Sequence, residues 1–163
     1  GAARRFFASA MTMTGNQDSE DASYLELAEF IATWGEPDHI NHDLAELFTR
    51  VVFNVATANR DDHLRNHGFM RTPAGWRLAP AFDMNPSFKK GEHALALDLY
   101  NRQPDISVVL ATAGYYRLDL NRAEKIISDT GKVIAGWKTR ATKLGLSAHA
   151  VAEAEHLFLS LNH

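Results

Sequence analysis

Apolar residues recur with helical spacing in the first part of the chain. Tyr24 begins a repeat at positions i, i+3, i+4 and i+7, which is the spacing of one buried helical face. Asp21 or Ser23 before it can act as an N-cap, and Gly35, followed by Glu36-Pro37, is a stop signal. A first helix is therefore predicted to start near Tyr24 and to stop at Gly35.

A second and longer apolar repeat predicts a core helix from about position 41 or 42 to 58. Burial of each apolar side chain contributes roughly 1.5–3 kcal/mol, which outweighs the tenths of a kcal/mol that β-branched residues lose in a helix. Asp43, Glu46 and Arg50 fall between the apolar positions and are expected to face solvent. The buried face consists of Leu44, Leu47, Phe48, Val51, Val52 and Val55.

The middle of the chain loses this period and predicts a β-hairpin. Residues 68–71 and 76–79 have strand character, and Thr72-Pro73-Ala74-Gly75 between them has turn chemistry. Pro80 and Pro86 enclose an extended segment, since proline disfavours helix at its own position and at the preceding one. Residues 89–93 are expected to form an exposed loop.

The helical period returns in the last third of the chain. A short helix is predicted over 106–113, followed by a long one that is broken or weakened at Gly131 and Gly136. Ser147 is expected to cap the last helix, which would carry apolar residues to Leu161. The predicted fold class is mostly α, with one small β-hairpin in the middle.

Composition adds limits to this picture. The 163 residues, 45% of them hydrophobic and 23% charged, are enough for one domain with a buried core. The absence of cysteine excludes disulfides and thiolate metal sites, and no apolar run approaches the roughly 20 residues of a membrane span. The net charge of −3 argues against direct nucleic-acid binding. We expect a soluble, cytoplasmic protein away from membranes, with its tryptophans in the core: Trp34, Trp76 and Trp137.

Candidate chemistry is concentrated between Asn59 and Pro86. Asp61 and Asn66 have the D-x-x-x-x-N spacing that protein kinases use in their catalytic loop. There the Asp accepts the proton of the substrate hydroxyl and the Asn binds Mg²⁺. Asp83 follows the hairpin, where kinases place a second metal carboxylate. One Asp and one Asn are a sufficient protein share for Mg²⁺, which keeps water and phosphate oxygens as its other ligands.

These motifs resemble the C-terminal domain of HipA-family toxin kinases. The resemblance is tightest over residues 50–86 and loose after 105. It implies a kinase-like helical C-terminal lobe over residues 1–163, in which the hairpin carries the metal-binding loop. It also implies a bacterial serine/threonine kinase that acts as the toxin of a toxin–antitoxin pair, with ATP and Mg²⁺ as cofactors. The matching segments are residues 9–11, 22–25, 53–55, 61–69 and 75–86.

The resemblance also assigns roles by position. Asp61 would be the catalytic base, and Asn66 and Asp83 would bind Mg²⁺ and thereby the nucleotide. His63 stands where related kinases place a lysine, which implies a nucleotide or phosphate contact, while Asp62 is interpreted as a residue that structures the loop. The implied partners are a protein substrate and a DNA-binding antitoxin, so that any contact with DNA would be indirect.

One departure from the family pattern is large. A kinase of this kind also needs an N-terminal lobe with a phosphate-covering loop, a lysine on a strand and an adenine-binding hinge. Residues 1–23 contain no glycine-rich loop and no room for a sheet. The chain is therefore expected to be a fragment, or a truncated homologue, that lacks the N-terminal lobe, and by itself to bind ATP poorly and turn over negligibly.

Other interpretations stay open. The lobe could be a non-catalytic binding or regulatory module that docks an antitoxin or another protein, or a kinase with a small-molecule acceptor. His63 and His67, four positions apart, have a spacing that zinc sites use, although no motif supplies the third and fourth ligands. Taken singly, Asp61 and Asp83 could each be a residue that only caps a helix or a turn.

Overall fold

Helices dominate the architecture, with one small sheet beside them. The computed structural model describes residues 5–159 and 161, and no helix among these residues is long and apolar enough to cross a membrane. The predicted mostly α fold class is confirmed. The helices are α1 (Ala10–Thr14), α2 (Tyr24–Trp34), α3 (Ile40–Ala56), α4 (Ile106–Ala111), α5 (Leu120–Ala135), α6 (Trp137–Lys143) and α7 (Ala148–Glu155), and the strands are β1 (Phe7–Ser9), β2 (Gly68–Thr72) and β3 (Gly75–Leu78).

Helix α3 is the centre of the core, as its long apolar repeat predicts. Its buried face is in contact with α2, α4, α5 and β3. The helix ends at Ala56, two residues earlier than predicted, because Ala58 has a φ of 55°, in the left-handed region that an α-helix cannot use. The candidate catalytic loop follows directly after this end of the helix.

The prediction that Asp43 and Arg50 of α3 face solvent was wrong. Asp43 and Arg50 are both buried. Asp43 accepts hydrogen bonds from Arg77 Nε at 2.9 Å and from the backbone N–H of Leu78 at 2.9 Å. Arg50 donates from Nη2 to the carbonyl oxygen of Ala79 at 2.8 Å. Asp43 attaches α3 to β3 and Arg50 attaches it to the residue after β3, so their burial is offset by charge-assisted hydrogen bonds.

Helix α2 begins and ends as predicted. The backbone N–H of Ser23 donates to the Glu26 carboxylate at 3.0 Å, which forms a capping box. The helix stops before Gly35, but Trp34 in its last turn is 61% exposed, so its assignment to the core was wrong. The other two tryptophans, Trp76 and Trp137, do lie against the core as predicted.

The sheet has three antiparallel strands in the order β1-β2-β3. The hairpin of β2 and β3 was predicted to within one residue at each strand end, but β1 was not, because three residues are too few to display a period of two. Phe7 of β1 pairs with Met70, and Ser9 pairs with Gly68. Ser9 is also the N-cap of α1, since its Oγ accepts from the N–H of Thr12 at 3.3 Å.

The C-terminal helices follow the prediction with three corrections. Helix α4 ends at Ala111, two residues earlier than predicted. Gly131 does not break α5: a Cβ there would lie 2.9 Å from the Cβ of Leu161, so the glycine makes room for the C-terminal segment. The predicted break at Gly136 is present, since α5 ends at Ala135 and α6 begins at Trp137. Ser147 caps α7 by accepting from the N–H of Ala150 at 3.2 Å, but α7 ends at Glu155, short of Leu161.

Candidate active site

The loop after α3 folds back on itself and places Asp61 next to Asn66. The backbone N–H of His63 donates to the carbonyl oxygen of Asp61 at 3.0 Å, and the N–H of Asn66 donates to that of His63 at 2.9 Å. The side-chain amide of Asn66 then donates from Nδ2 to the Asp61 carbonyl oxygen at 3.3 Å. The two residues of the D-x-x-x-x-N motif therefore lie side by side.

Asp61 presents its carboxylate to solvent. The side chain is 56% exposed and forms an ion pair with Lys90. The backbone of Lys90 is itself fixed, because Arg60 Nη1 donates to its carbonyl oxygen at 2.5 Å. Two further hydrogen bonds dock the same segment on the loop: the N–H of Ser87 donates to Ala58 at 2.8 Å, and that of Ala94 donates to Arg60 at 3.0 Å.

Asn66 and Asp83 present oxygen ligands. Asn66 is 8% exposed, and no described residue donates a hydrogen bond to its Oδ1. Asp83 is exposed and has a φ of 55°, an uncommon conformation that Asp tolerates better than most residues. Its Oδ1 accepts from Asn85 Nδ2 at 2.9 Å. Backbone strain of this kind is often found at functional sites.

The segment that carries Asp83 lies against the candidate catalytic loop. Asn66 and Asp62 line a cavity of about 10 Å³ together with residues 81, 82 and 84. Among the described residues, however, no hydrogen bond or ion pair joins Asp83 to Asp61 or to Asn66. The fold therefore brings the three candidates to one region without linking the carboxylate of Asp83 directly to the other two.

The donor set fits a hard divalent cation. Asn66 and Asp83 supply amide and carboxylate oxygens, which Mg²⁺ prefers, and Mg²⁺ takes few ligands from the protein when it also binds phosphates. No group of three or more His, Asp or Glu side chains among the described residues could hold a metal ion. A site here would have to complete its shell with water or phosphate oxygens.

The surroundings of His63 give the least information about the role of its side chain. The residue is half-buried, and its Nδ1 is buried without a hydrogen-bond partner among the described residues. Its backbone contributes to the turn that brings Asp61 and Asn66 together. The predicted phosphate contact of its side chain stays a prediction.

Asp62 is buried beneath the site. Its Oδ2 accepts hydrogen bonds from Tyr24 Oη at 2.7 Å, Asn54 Nδ2 at 2.6 Å and His67 Nε2 at 2.7 Å. Burial, then the charge and hydrogen bond of Asp62, raise the pKa of Tyr24 well above its ordinary value, so Tyr24 remains a donor. The interpretation of Asp62 as a residue that structures the loop matches this geometry.

His93 corrects the expectation that residues 89–93 form an exposed loop. Residues 89–92 are exposed, but His93 is buried, and neither ring nitrogen has a hydrogen-bond partner among the described residues. Burial and the nearby charge of Arg60 lower the pKa of His93 to about 4. The imidazole is therefore neutral at pH 7.

Sequence reasoning missed Asn54 and Lys90 as members of this region. Asn54 follows Leu47 and Val51 at helical spacing on a buried face, and an amide at such a position was the available signal of a buried polar network. Lys90 gave no comparable signal, because a basic pair in a loop is normally solvated surface.

The comparisons with known proteins agree with this architecture. The family model described as HipA-like C-terminal domain matches residues 2–137. The chain belongs to this family. A chain in the structure of the Shewanella oneidensis MR-1 toxin antitoxin system HipA, HipB and its operator DNA complex is similar to it, with a TM-score of 0.71 and 18% sequence identity.

That match covers 97% of this chain and 42% of the Shewanella chain. The HipA-like chain thus spans less than half the length of the protein it matches. At 18% identity the likeness shows a common fold. No curated protein matches the sequence.

Proposed function

We propose that this HipA-like chain is the catalytic C-terminal lobe of a serine/threonine protein kinase that transfers the γ-phosphate of ATP to a protein hydroxyl. The observation that carries the proposal is the pairing of Asp61 with Asn66 in a loop that leaves the core helix, with the Asp83 segment folded against that loop. A solvated loop has no need of this arrangement.

Each residue has a task in this reaction. Asp61, whose carboxylate is exposed, accepts the proton of the attacking hydroxyl. Asn66 Oδ1 and the Asp83 carboxylate would hold Mg²⁺, and His63 would contact phosphate oxygens. The ATP·Mg²⁺ complex supplies the phosphoryl group and neutralises much of its charge. Lys90 contacts only Oδ1 of Asp61, so Oδ2 is open to the hydroxyl.

The proposed biological setting is a toxin–antitoxin pair. It is supported by membership of the HipA-like family and by the solved complex of a similar chain with HipB and operator DNA. A DNA-binding antitoxin is the partner we propose, and the net charge of −3 favours indirect rather than direct contact with DNA.

The test is a titration of ATP into the chain by NMR, with and without Mg²⁺, with Asp61→Asn and Asp83→Asn as matched variants. We expect Mg²⁺-dependent shifts around Asn66 and Asp83 in the wild type and in Asp61→Asn. Asp83→Asn should lose them, because it removes a metal carboxylate. Transfer of radiolabelled phosphate, where detectable, should disappear in Asp61→Asn. Equal transfer by wild type and Asp61→Asn would refute the role of the base.

A non-catalytic docking module is the second candidate. The observation that favours it is the internal pairing of both carboxylates, Asp61 with Lys90 and Asp83 with Asn85. If ATP causes no Mg²⁺-dependent shift in the wild type, this candidate replaces the kinase. A kinase with a small-molecule acceptor would bind ATP·Mg²⁺ like the first candidate and differ only in the acceptor.

A further inference from the structure

The buried carboxylate next to the proposed base is the strongest polar feature that the proposed reaction leaves unused. The Asp62 side chain is 4% exposed, although its neighbour Asp61 is 56% exposed. An ionised carboxylate in the interior is unfavourable unless charges and hydrogen bonds compensate its lost hydration. Three donors converge on a single oxygen, Oδ2, which provides this compensation.

The three donors come from different parts of the fold. Tyr24 is the first residue of α2, Asn54 lies in the last turn of α3, and His67 directly precedes β2. Asn54 extends the network, since its Oδ1 accepts from Asn59 Nδ2 at 3.0 Å at the start of the loop. The carboxylate of Asp62 therefore ties the loop to two helices and to the sheet.

The network also fixes which way the loop residues face. The bond between Asp62 and His67 closes the loop across its base, and Asn66 is held inside the closed segment. Because Asp62 is anchored inward, the adjacent Asp61 presents its carboxylate outward. The edge of the Tyr24 ring also packs on the His67 ring, with centroids 5.9 Å apart, which fixes the second anchor as well.

We infer that Asp62, with Tyr24, Asn54 and His67, is a positioning group that holds the proposed base Asp61 and the proposed metal ligand Asn66 in register. The inference rests on the proposed function. Groups behind a metal ligand orient it, and their removal typically lowers metal affinity or activity about 10- to 100-fold. None of the four residues is assigned to touch substrate or nucleotide.

A network that only stabilised the fold would also lose stability when it is mutated. The test therefore needs a measurement that reports on the position of Asn66 rather than on the stability of the fold. That measurement is the Mg²⁺ concentration at half-maximal ATP binding. Reversible unfolding raises this midpoint only by the reciprocal of the folded fraction, so a variant that remains essentially folded keeps the wild-type midpoint if its role is only structural. Misplacement of Asn66 raises the midpoint, and excess Mg²⁺ restores binding.

Two buried tyrosines provide a matched pair of variants. Tyr24 and Tyr116 are both fully buried, but Tyr24 Oη donates to Asp62 whereas Tyr116 Oη has no hydrogen-bond partner among the described residues. Tyr24→Phe therefore removes one donor of the network with little change in packing. Tyr116→Phe makes the same chemical change outside it.

The experiment titrates Mg²⁺ at fixed ATP into the wild-type chain and both variants, followed by NMR. We expect Tyr24→Phe to raise the Mg²⁺ midpoint about 10-fold and Tyr116→Phe to leave it at the wild-type value. Amide hydrogen exchange at His63 and Asn66 should quicken only in Tyr24→Phe. Equal midpoints in the two variants would overturn the inference, even if Tyr24→Phe is less stable.

Failure of the proposed function gives a different result. In that case the wild type itself shows no Mg²⁺-dependent ATP binding, and the inference falls with it. Asp62→Asn is the stronger variant, with a larger expected rise in the midpoint, and an unfolded Asp62→Asn leaves the decision to Tyr24→Phe. A folded Asp62→Asn with the wild-type midpoint would overturn the inference.

Discussion

At the scale of single residues, burial has opposite meanings for two tyrosines of the same core. Tyr24 Oη donates to a buried carboxylate, so its hydroxyl replaces the hydrogen bond it would make with water. Tyr116 Oη lies in the core without a hydrogen-bond partner in the described part of the chain, and its burial raises the pKa of that phenol. An unsatisfied buried hydroxyl is unfavourable by about 1–3 kcal/mol.

We therefore predict opposite effects of the two Tyr→Phe changes on stability. Tyr24→Phe should lower the free energy of unfolding by about 1–3 kcal/mol, because Asp62 loses a donor. Tyr116→Phe should leave it unchanged or raise it by up to about 1 kcal/mol. Urea unfolding followed by circular dichroism measures both. A loss of similar size in Tyr116→Phe would mean that its hydroxyl has a partner, such as a buried water.

At the scale of elements, the hairpin is seated against the end of α2. The backbone N–H of Glu36 donates to the carbonyl oxygen of Trp76 at 2.9 Å, and Gly75 lies directly beside it. A Cβ at Gly75 would come within 2.7 Å of the backbone nitrogen of Glu36. Contact between two backbones leaves no side chain that could move aside.

The change Gly75→Ala should therefore separate the hairpin from α2. We expect a loss of about 1–3 kcal/mol in the free energy of unfolding, the range typical of overpacking. Gly114→Ala is the matched control, since a Cβ there meets open space and its backbone is not left-handed. Urea unfolding of both variants tests this contact, and equal stabilities would show that the two backbones can move apart easily.

Features that depend on neighbouring residues could be predicted from the sequence, whereas features that depend on contacts between distant residues could not. Helices α2 and α3 were predictable because their apolar periods and stop signals are local. The burial of Asp43 and Arg50 was not, because their partners lie about 30 residues away in β3 and beyond it. Strand β1 was missed because it exists only through its pairing with β2.

The candidate site likewise contains residues that a local motif indicates and residues that only long-range packing brings together. Asp61 and Asn66 could be named as candidates because one short motif contains both, and Asp83 because it follows the hairpin at the spacing that kinases use. Tyr24 lies 38 residues from Asp62, and no local pattern signals that contact. Only the packing of α2 on α3 brings its hydroxyl to the loop.

At the scale of the whole molecule, stability should depend on pH through His93. Its pKa is about 4 in the folded chain, below the ordinary 6.5, because it is buried next to Arg60. Between these values the unfolded chain binds a proton that the folded chain does not. This contribution to stability is therefore present above pH 6.5 and is lost as the pH falls towards 4.

We predict that the free energy of unfolding falls by about 2 kcal/mol between pH 7 and pH 5 because of His93 alone. His93→Gln should remove this part of the pH dependence, because glutamine does not titrate. His156→Gln, at an exposed position, should keep it. Urea unfolding at the two pH values compares the three proteins, and an unchanged slope in His93→Gln would contradict the assignment.

The junction between β1 and α1 has a mechanical consequence. Ser9 belongs to both elements, and the backbone N–H of the next residue, Ala10, donates to the carbonyl oxygen of His67 at 2.8 Å. There is no hinge between strand and helix at this point. A displacement of β1 is therefore transmitted, through this hydrogen bond, to the base of the candidate catalytic loop.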